Sequence, residues 1–374
     1  MVETEDIGLR PGPDATLIAS VACLVALGLI MVFSASSTEA VATLKDGAFY
    51  FKRQLVGLLV ACIPAYAAYT IDYRRLRPFA PWAVGVSVVL LALVWMPHIG
   101  IRTAGASRWV GVGPLSFQPS EVAKLALILY LASALAGKGE KIRSLTRGVV
   151  PIAMVSAVLA VLVLKEPDMG TASLFAFTTA ALLYAAGARI LHILMIAVVT
   201  LPGAIFLILH DQYKRDRILA FMHPWKHANA EGFQIVQSLL ALGSGGLFGR
   251  GIGFSQQKAF YLPEAHTDFI GSIIGEELGF VGMFAIVALF VAFAYRAARI
   301  ALRASDRFGF FLALGCMAMI VIQAFISVGV VTASWPVTGV PLPFISYGGT
   351  SLIVSLVAVA LVANVGRRRR SPKA

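Results

Sequence analysis

Apolar runs of roughly 20 residues recur along the chain, about ten of them, each long enough to cross the hydrocarbon core of a bilayer as a helix. They lie at about Asp14–Ser36, Arg53–Thr70, Pro78–Met96, Pro119–Ala136, Thr146–Leu164, Gly170–Gly187, Ile190–His210, Asp268–Phe293, Phe308–Val331 and Phe344–Val365. The longest polar interruption runs from Asp211 to Thr267, and within it Glu231 to Leu242 has the spacing of a short amphipathic helix, expected on the outer surface. The pattern predicts an all-α, polytopic integral membrane protein: a single transmembrane domain over residues 1–374 with a large extracytoplasmic loop at about 211–267.

Composition sharpens this. At 59% hydrophobic and 13% charged residues, with a mean hydropathy of +0.83, the chain is too apolar for a soluble domain. A net charge of +12 would suggest nucleic acid in a soluble protein. Its distribution argues against that partner. With the N-terminus inside, the inner connections hold Arg74, Arg75 and Arg77, then Lys138, Lys141, Arg143 and Arg147, then Arg296, Arg299, Arg303 and Arg307, then Arg367 to Arg370. The short outer connections hold fewer cations, so the positive-inside rule places both termini in the cytoplasm. Glu3, Glu5 and Asp6 replace the basic region of a cleaved signal peptide, and the first apolar run is expected to remain as a helix. Cys23, Cys62 and Cys316 sit within apolar runs without paired spacing, which supports neither a disulfide framework nor a thiolate metal site.

Polar anomalies then mark candidate chemistry. Arg102, Arg108 and Trp109 lie among glycines in an outer segment, after which Pro119 opens a helix carrying Glu121 and Lys124 on one face. An intrahelical ion pair beside an interfacial tryptophan would explain them; so would a site, since Lys124 lies deep in an apolar run where a charge needs a cavity or a partner. Pro167 and Gly170 predict a tight turn at Lys165 to Thr171, in which Asp168 caps the next helix or helps shape a shared outer cavity. The glycines from Gly243 to Gly253 lack both GK[ST] and the GxGxxG spacing, so nucleotide binding is not expected; a loop against a lipid head group or a plain linker fits.

The densest ionisable stretch is Gly243 to Gly279. Arg250 and Lys258 precede Glu264, His266 and Asp268, and Glu276 and Glu277 follow in an apolar run. A lone histidine near an aspartate is poor zinc chemistry. Asp268 as a helix cap and His266 as an interfacial hydrogen-bonder is one reading. The other aligns Glu264, Asp268 and Glu276 along one side of a helix, where a carboxylate in a poorly hydrated cavity has a raised pKa suited to a general base. Between the last two runs, Pro336, Pro341 and Pro343 keep the loop irregular, and Ser346 to Thr350 interrupts the start of the final helix, as is tolerated where a helix lines protein or a water-filled cavity.

Four segments, GPLSFQPSEVAKLALILYLA (Gly113 to Ala132), EPDMGTA (Glu166 to Ala172), YLPEAHTDFIGSIIGEELGFVG (Tyr261 to Gly282) and PLPFISYGGTSL (Pro341 to Leu352), together resemble the SEDS family of shape, elongation, division and sporulation proteins. LPEAHTDFI and GEELG are similar to the FtsW division branch, which is favoured, whereas PLPFISYGG leans towards the RodA elongation branch. The resemblance implies a ten-helix peptidoglycan glycosyltransferase of the bacterial cytoplasmic membrane. It would polymerise lipid II at the outer face, partnered by a class B penicillin-binding transpeptidase and other division-complex membrane proteins. It further implies Asp268 as the essential aspartate, Lys124 with Glu121 beside it, Asp168 and Trp109 as family positions. Lys165-Glu166 departs from the apolar residue and glutamine expected before Pro-Asp.

Joining sugars at a lipid-linked pyrophosphate needs a base for the acceptor hydroxyl, here Asp268, and cationic groups or a divalent cation, Mg or Mn, for the departing pyrophosphate. Arg102, Arg108, Lys124 and Lys258 are candidates for that charge, with Glu121, Trp109, Asp168, Glu264, His266 and Ser346 expected to line the substrate site. A lipid II flippase or a scaffold for division proteins are the competing readings, and polymerisation of purified lipid II discriminates among the three.

Overall fold

The computed structural model describes residues 14–96, 100–103, 106–112, 115–230, 232–259 and 261–368. The ten apolar runs appear as helices: α1 (Ala15–Leu44), α2 (Phe49–Thr70), α3 (Ala80–Leu93), α4 (Pro119–Lys138), α5 (Val150–Lys165), α6 (Met169–Ala185), α7 (Ile190–Leu209), α10 (Ile270–Leu302), α11 (Arg307–Val331) and α12 (Gly349–Arg367). Among the described residues eight helical segments are long and apolar enough to cross a membrane, and α6 and the first part of α7 are shorter apolar helices. Local chemistry fixes their starts. Asp14 accepts from the Leu17 amide at 3.1 Å, Asp306 from Gly309 at 2.8 Å, and Pro119, which has no amide to leave unpaired, opens α4.

Helices α4, α11 and α12 are the most enclosed, whereas α2 and α3 present most of their surface outwards. At one end of the bundle, Arg296 pairs with Asp14 at 2.5 Å, Arg74 with Asp306 at 3.0 Å and Arg368 with Asp72 at 2.8 Å. These bonds join the start of α1 to the last turns of α10, and the segment after α2 to both the α10–α11 connection and the end of α12. The basic connections around Arg74, Arg296 to Arg307 and Arg368 therefore share one end.

Four local expectations change. The segment after α3 is a three-stranded antiparallel sheet, β1 (Gly100–Thr103), β2 (Ala106–Val112) and β3 (Leu115–Phe117), with Val110 opposite Phe117 and Trp109 opposite Ile101. The loop at 211–267 contains α8 (Gln212–Met222) and α9 (Phe233–Gly245). Rather than resting on the surface, α9 packs on α10, its buried Ser238 hydroxyl 2.6 Å from that of Ser272 and donating to the Val331 carbonyl at 2.6 Å. The last helix begins at Gly349 and not at Phe344, because Pro343 and a left-handed Phe344 hold the preceding loop out of helical geometry. Lastly, α10 breaks at Gly279, which has φ 67° and ψ −164°.

The glycine-rich segment before α10 supports that break. Amides of Arg250 and Gly251 donate to the carbonyls of Glu276 and Glu277, both at 3.0 Å, and the amides of Phe280 and Val281 donate to Gly246 and Leu247 at 2.9 and 3.1 Å. The hydrogen bonds interrupted by the kink are thus remade with the loop, as backbone in an apolar medium requires. A side chain on Gly249 would run into the Glu277 backbone and one on Gly279 into the Gly249 backbone, so only glycine allows this close approach. The loop is a splint on the helix, a role that neither the head-group nor the linker expectation contained.

Candidate active site

At the end opposite those paired connections, the turn before α10 carries Asp268. Glu264 turns the chain with φ 56°, its carbonyl accepting from the amides of Thr267 at 3.2 Å and Phe269 at 3.3 Å while its carboxylate takes the Thr267 hydroxyl at 2.9 Å. The cap position of α10 falls on Phe269, with no side-chain cap bond, so Asp268 is not occupied in capping. Because α10 starts only at Ile270, Glu264, Asp268 and Glu276 do not align along one helix. Glu276 instead anchors the preceding loop, taking the Ser255 hydroxyl at 2.5 Å and the Gln256 and Gln257 amides at 3.0 and 3.3 Å.

Neighbouring loops hold the Asp268 turn. The Ser346 hydroxyl donates to the Thr267 carbonyl at 2.7 Å and accepts from the Leu342 amide, while the Tyr347 amide donates to the His266 carbonyl at 3.0 Å. The His266 ring is buried between Tyr50 and Tyr347, centroids 4.4 and 5.6 Å away, and its Nδ1 lies 3.5 Å from Glu39. Burial pushes the His266 pKa down, against Glu39 and Glu264, which favours a neutral, structural ring. Ser346, His266 and Glu264 therefore surround Asp268 by shaping its backbone.

Across from Asp268 stands Arg108 on β2. Gly339, in the loop between α11 and α12, has φ 70°, and a methyl placed on it would lie 3.2 Å from Arg108 Nη1 and 3.4 Å from Asp268 Oδ2. Even a methyl here would be cramped, so the glycine lets a guanidinium and a carboxylate close in on the same point of the loop. Burial and the Glu264 charge raise the Asp268 pKa to about 6, opposed by Arg108 and Arg217 and assisted by Asp168. Asp268 is thus ionised at neutral pH yet far more basic than an ordinary aspartate, which is the condition a general base needs.

Arg108 also ties the site to the α5–α6 turn, donating to the carbonyls of Glu166 at 3.2 Å and of Pro167. Asp168 caps α6, accepting from the Thr171 amide at 2.9 Å, while its charge reaches Asp268. Arg217 on α8 bonds the Val337 carbonyl at 3.3 Å and adds a second cation to the field at Asp268. Trp109 follows Arg108 on β2, half-buried. Arg102 lies on β1, and its side chain falls outside the described residues.

Two predicted cations are engaged elsewhere. Lys124, 2% exposed, bonds Glu121 at 2.6 Å and the Gln323 side-chain carbonyl at 2.9 Å, and Gln323 in turn donates to the Pro341 carbonyl at 2.9 Å. Lys258 is buried against Glu277 at 3.1 Å, Ser34 at 3.3 Å and the Gly253 carbonyl at 2.6 Å, inside the loop that splints α10. Sequence reasoning missed Arg217 and Gly339: the first is one of four successive charged residues, and the second is an ordinary glycine in a proline-rich loop. Among the described residues no group of three or more His, Cys, Asp and Glu side chains could hold a metal ion.

The profile of the FtsW, RodA and SpoVE family of cell cycle proteins matches residues 14–371. The chain is 45% identical over 352 residues to a probable peptidoglycan glycosyltransferase FtsW of Trichlorobacter lovleyi, covering 94% of this chain and 92% of that one. It is 42% identical over 361 residues to stage V sporulation protein E of Bacillus subtilis, covering 96% and 99%. Among solved structures, it superposes on a chain of a peptidoglycan synthase complex in which polymerisation and crosslinking are coordinated, with TM-score 0.77, 30% identity and coverage of 96% and 98%. The rod shape determining protein RodA of Thermus thermophilus gives TM-score 0.69 at 30% identity, with the same coverages. A polytopic helical bundle, a match running from the first helix to the tail, and relatives aligned over nearly their whole length place this chain in the FtsW/RodA/SpoVE family.

Proposed function

We propose that this protein is a peptidoglycan glycosyltransferase of the bacterial cytoplasmic membrane, polymerising lipid II into glycan strands at the outer face, in the division branch of its family. Relatives named as FtsW support the activity and the branch. The observation that carries the chemistry is the convergence over Gly339 of the raised-pKa carboxylate of Asp268 and the Arg108 guanidinium.

Asp268 takes the proton from the acceptor sugar hydroxyl as that oxygen bonds to the anomeric carbon of the donor. The bond from that carbon to the pyrophosphate oxygen breaks, and the electron pair leaves with the lipid-linked pyrophosphate. Its charge develops beside Arg108 and Arg217, preplaced cations that need no reorganisation as the bond breaks. Glu264, His266, Ser346 and Asp168 hold the backbone of the site, Trp109 borders it, and the Lys124–Glu121 pair supports the 341–346 loop through Gln323. Among the described residues the side chains do not assemble a cation cage, so no step is assigned to Mg or Mn.

The segregation of inner basic connections to one end supports cytoplasmic termini and an outer Asp268. Likeness to a chain that works within a complex coordinating polymerisation with crosslinking supports a class B transpeptidase partner. Synthesis of glycan strands from purified lipid II, with and without such a partner, tests the reading. Wild-type protein that moves lipid II across vesicles but makes no strands would establish a flippase instead.

A further inference from the structure

Glu166 is the sharpest anomaly without a task. Its side chain is 1% exposed, and neither carboxyl oxygen has a hydrogen-bond partner. Arg108 approaches the same residue and bonds its main-chain carbonyl and that of Pro167, not its carboxyl. A buried carboxylate is an acceptor at every lone pair, and leaving all of them empty beside an available guanidinium carries the full cost of an unpaired charge. A neutral acid forgoes far less.

The charged groups that face it agree. Burial and the Asp168 charge push the Glu166 pKa up to about 9, with only Arg108 opposing. Lys165, adjacent in sequence, is turned onto the Trp95 ring, 5.7 Å from its centroid.

We propose that Glu166 is a positioning residue kept protonated in the working protein: its neutrality leaves the Arg108 guanidinium on the 166 and 167 carbonyls with Nη1 towards Asp268 and the departing anion, and its ionisation would swing the guanidinium onto the Glu166 carboxylate and away from Asp268. The inference rests on the glycosyltransferase reading for its activity arm. It also gives a physical sense to the position where this chain departs from the glutamine expected there, since a protonated glutamate is the near-isostere of glutamine.

The test compares wild type, Glu166→Gln and Glu166→Ala in glycan synthesis from purified lipid II, each at pH 7.5 and pH 9.5. Glu166→Gln should stay within about twofold of wild type at pH 7.5 and lack the roughly fourfold loss that ionisation of a group with pKa about 9 imposes on wild type at pH 9.5. Glu166→Ala, which removes the titrating carboxyl together with its packing, should be less active than Glu166→Gln at pH 7.5 and, like it, lack the roughly fourfold alkaline loss. A Glu166→Gln protein that follows the wild-type alkaline loss, or that falls more than tenfold at pH 7.5 while folded, overturns the proposal. Infrared difference spectra, wild type minus Glu166→Gln at pH 7.5, should show a protonated-carboxyl carbonyl band; carboxylate bands there overturn it independently of any glycan product. Wild type that makes no strands at any pH defeats the functional reading, and the infrared arm still decides the protonation state.

Discussion

Arg108→Gln separates the electrostatic part of the site from its shape. Arg108 Nη1 and Asp268 Oδ2 approach one point above Gly339, at 3.2 and 3.4 Å, so the two groups stand within about 7 Å of each other. At an effective dielectric constant of about 20, a unit charge at that distance is worth roughly 2 kcal/mol, or between one and two pKa units. Asp268 now titrates near 6, and because Arg108 lowers that value, its removal must raise it. The base works only when ionised, so activity is present above the Asp268 pKa and lost as pH falls through it. In wild type the acid limb of kcat/KM should therefore centre near pH 6, and in Arg108→Gln it should move to about pH 7–8. The assay is strand synthesis from lipid II across pH 5 to 9, with the variant's plateau normalised to remove the separate loss of leaving-group stabilisation. An Arg108→Gln profile that is lower but still centred near pH 6 would refute the coupling. Asp268→Asn should show no acid limb and a plateau reduced at least about 10²-fold, the contribution of a general base.

Asp268→Asn should also raise thermal stability at pH 7, since a carboxyl whose folded pKa is raised contributes stability below its unfolded value and loses it as pH rises through about 6. A melting series in detergent checks this, and an unchanged melting temperature would mean the site is wetter than described. Lys124→Met should cost about 3–5 kcal/mol by leaving buried Glu121 without its cation, and adding Glu121→Gln should recover most of that loss. Recovery of stability without activity would assign Lys124 to substrate, and recovery of both would make the pair structural. Gly279→Ala should lower the yield of folded protein more than Gly243→Ala, which meets open space; equal yields would deny the close approach of loop and helix. An introduced cysteine at exposed Ala230 should react with an impermeant reagent in intact cells, and labelling only after permeabilisation would invert the proposed orientation.

The helices were legible because apolar length in a bilayer leaves few alternatives, and their ends because Asp14, Asp168, Asp306 and Pro119 act within one turn of chain. Asp268 was legible as a candidate because it opens the apolar run directly after a cluster of other charges. What could not be read was which charges meet. Lys258 and Glu277 pair across a folded-back loop, and Glu276 accepts from Ser255 to Gln257, long-range partnerships with no periodic signature. Arg217 and Gly339 reach the site only through tertiary packing. The small sheet escaped notice because its strands are short and glycine-interrupted, so neither period dominates.

The splint on α10 bears on how the protein is made. Residues 246–251 leave the ribosome before the helix they brace, so the donors and acceptors that satisfy the broken turn already exist when α10 enters the bilayer. Were the order reversed, the helix would have to wait in lipid with four backbone groups exposed, each costing several kcal/mol. Chain order thus gives the kinked helix a ready brace, and a permutation that moved the loop behind α10 would be expected to stall at insertion even though every contact of the finished bundle could still form.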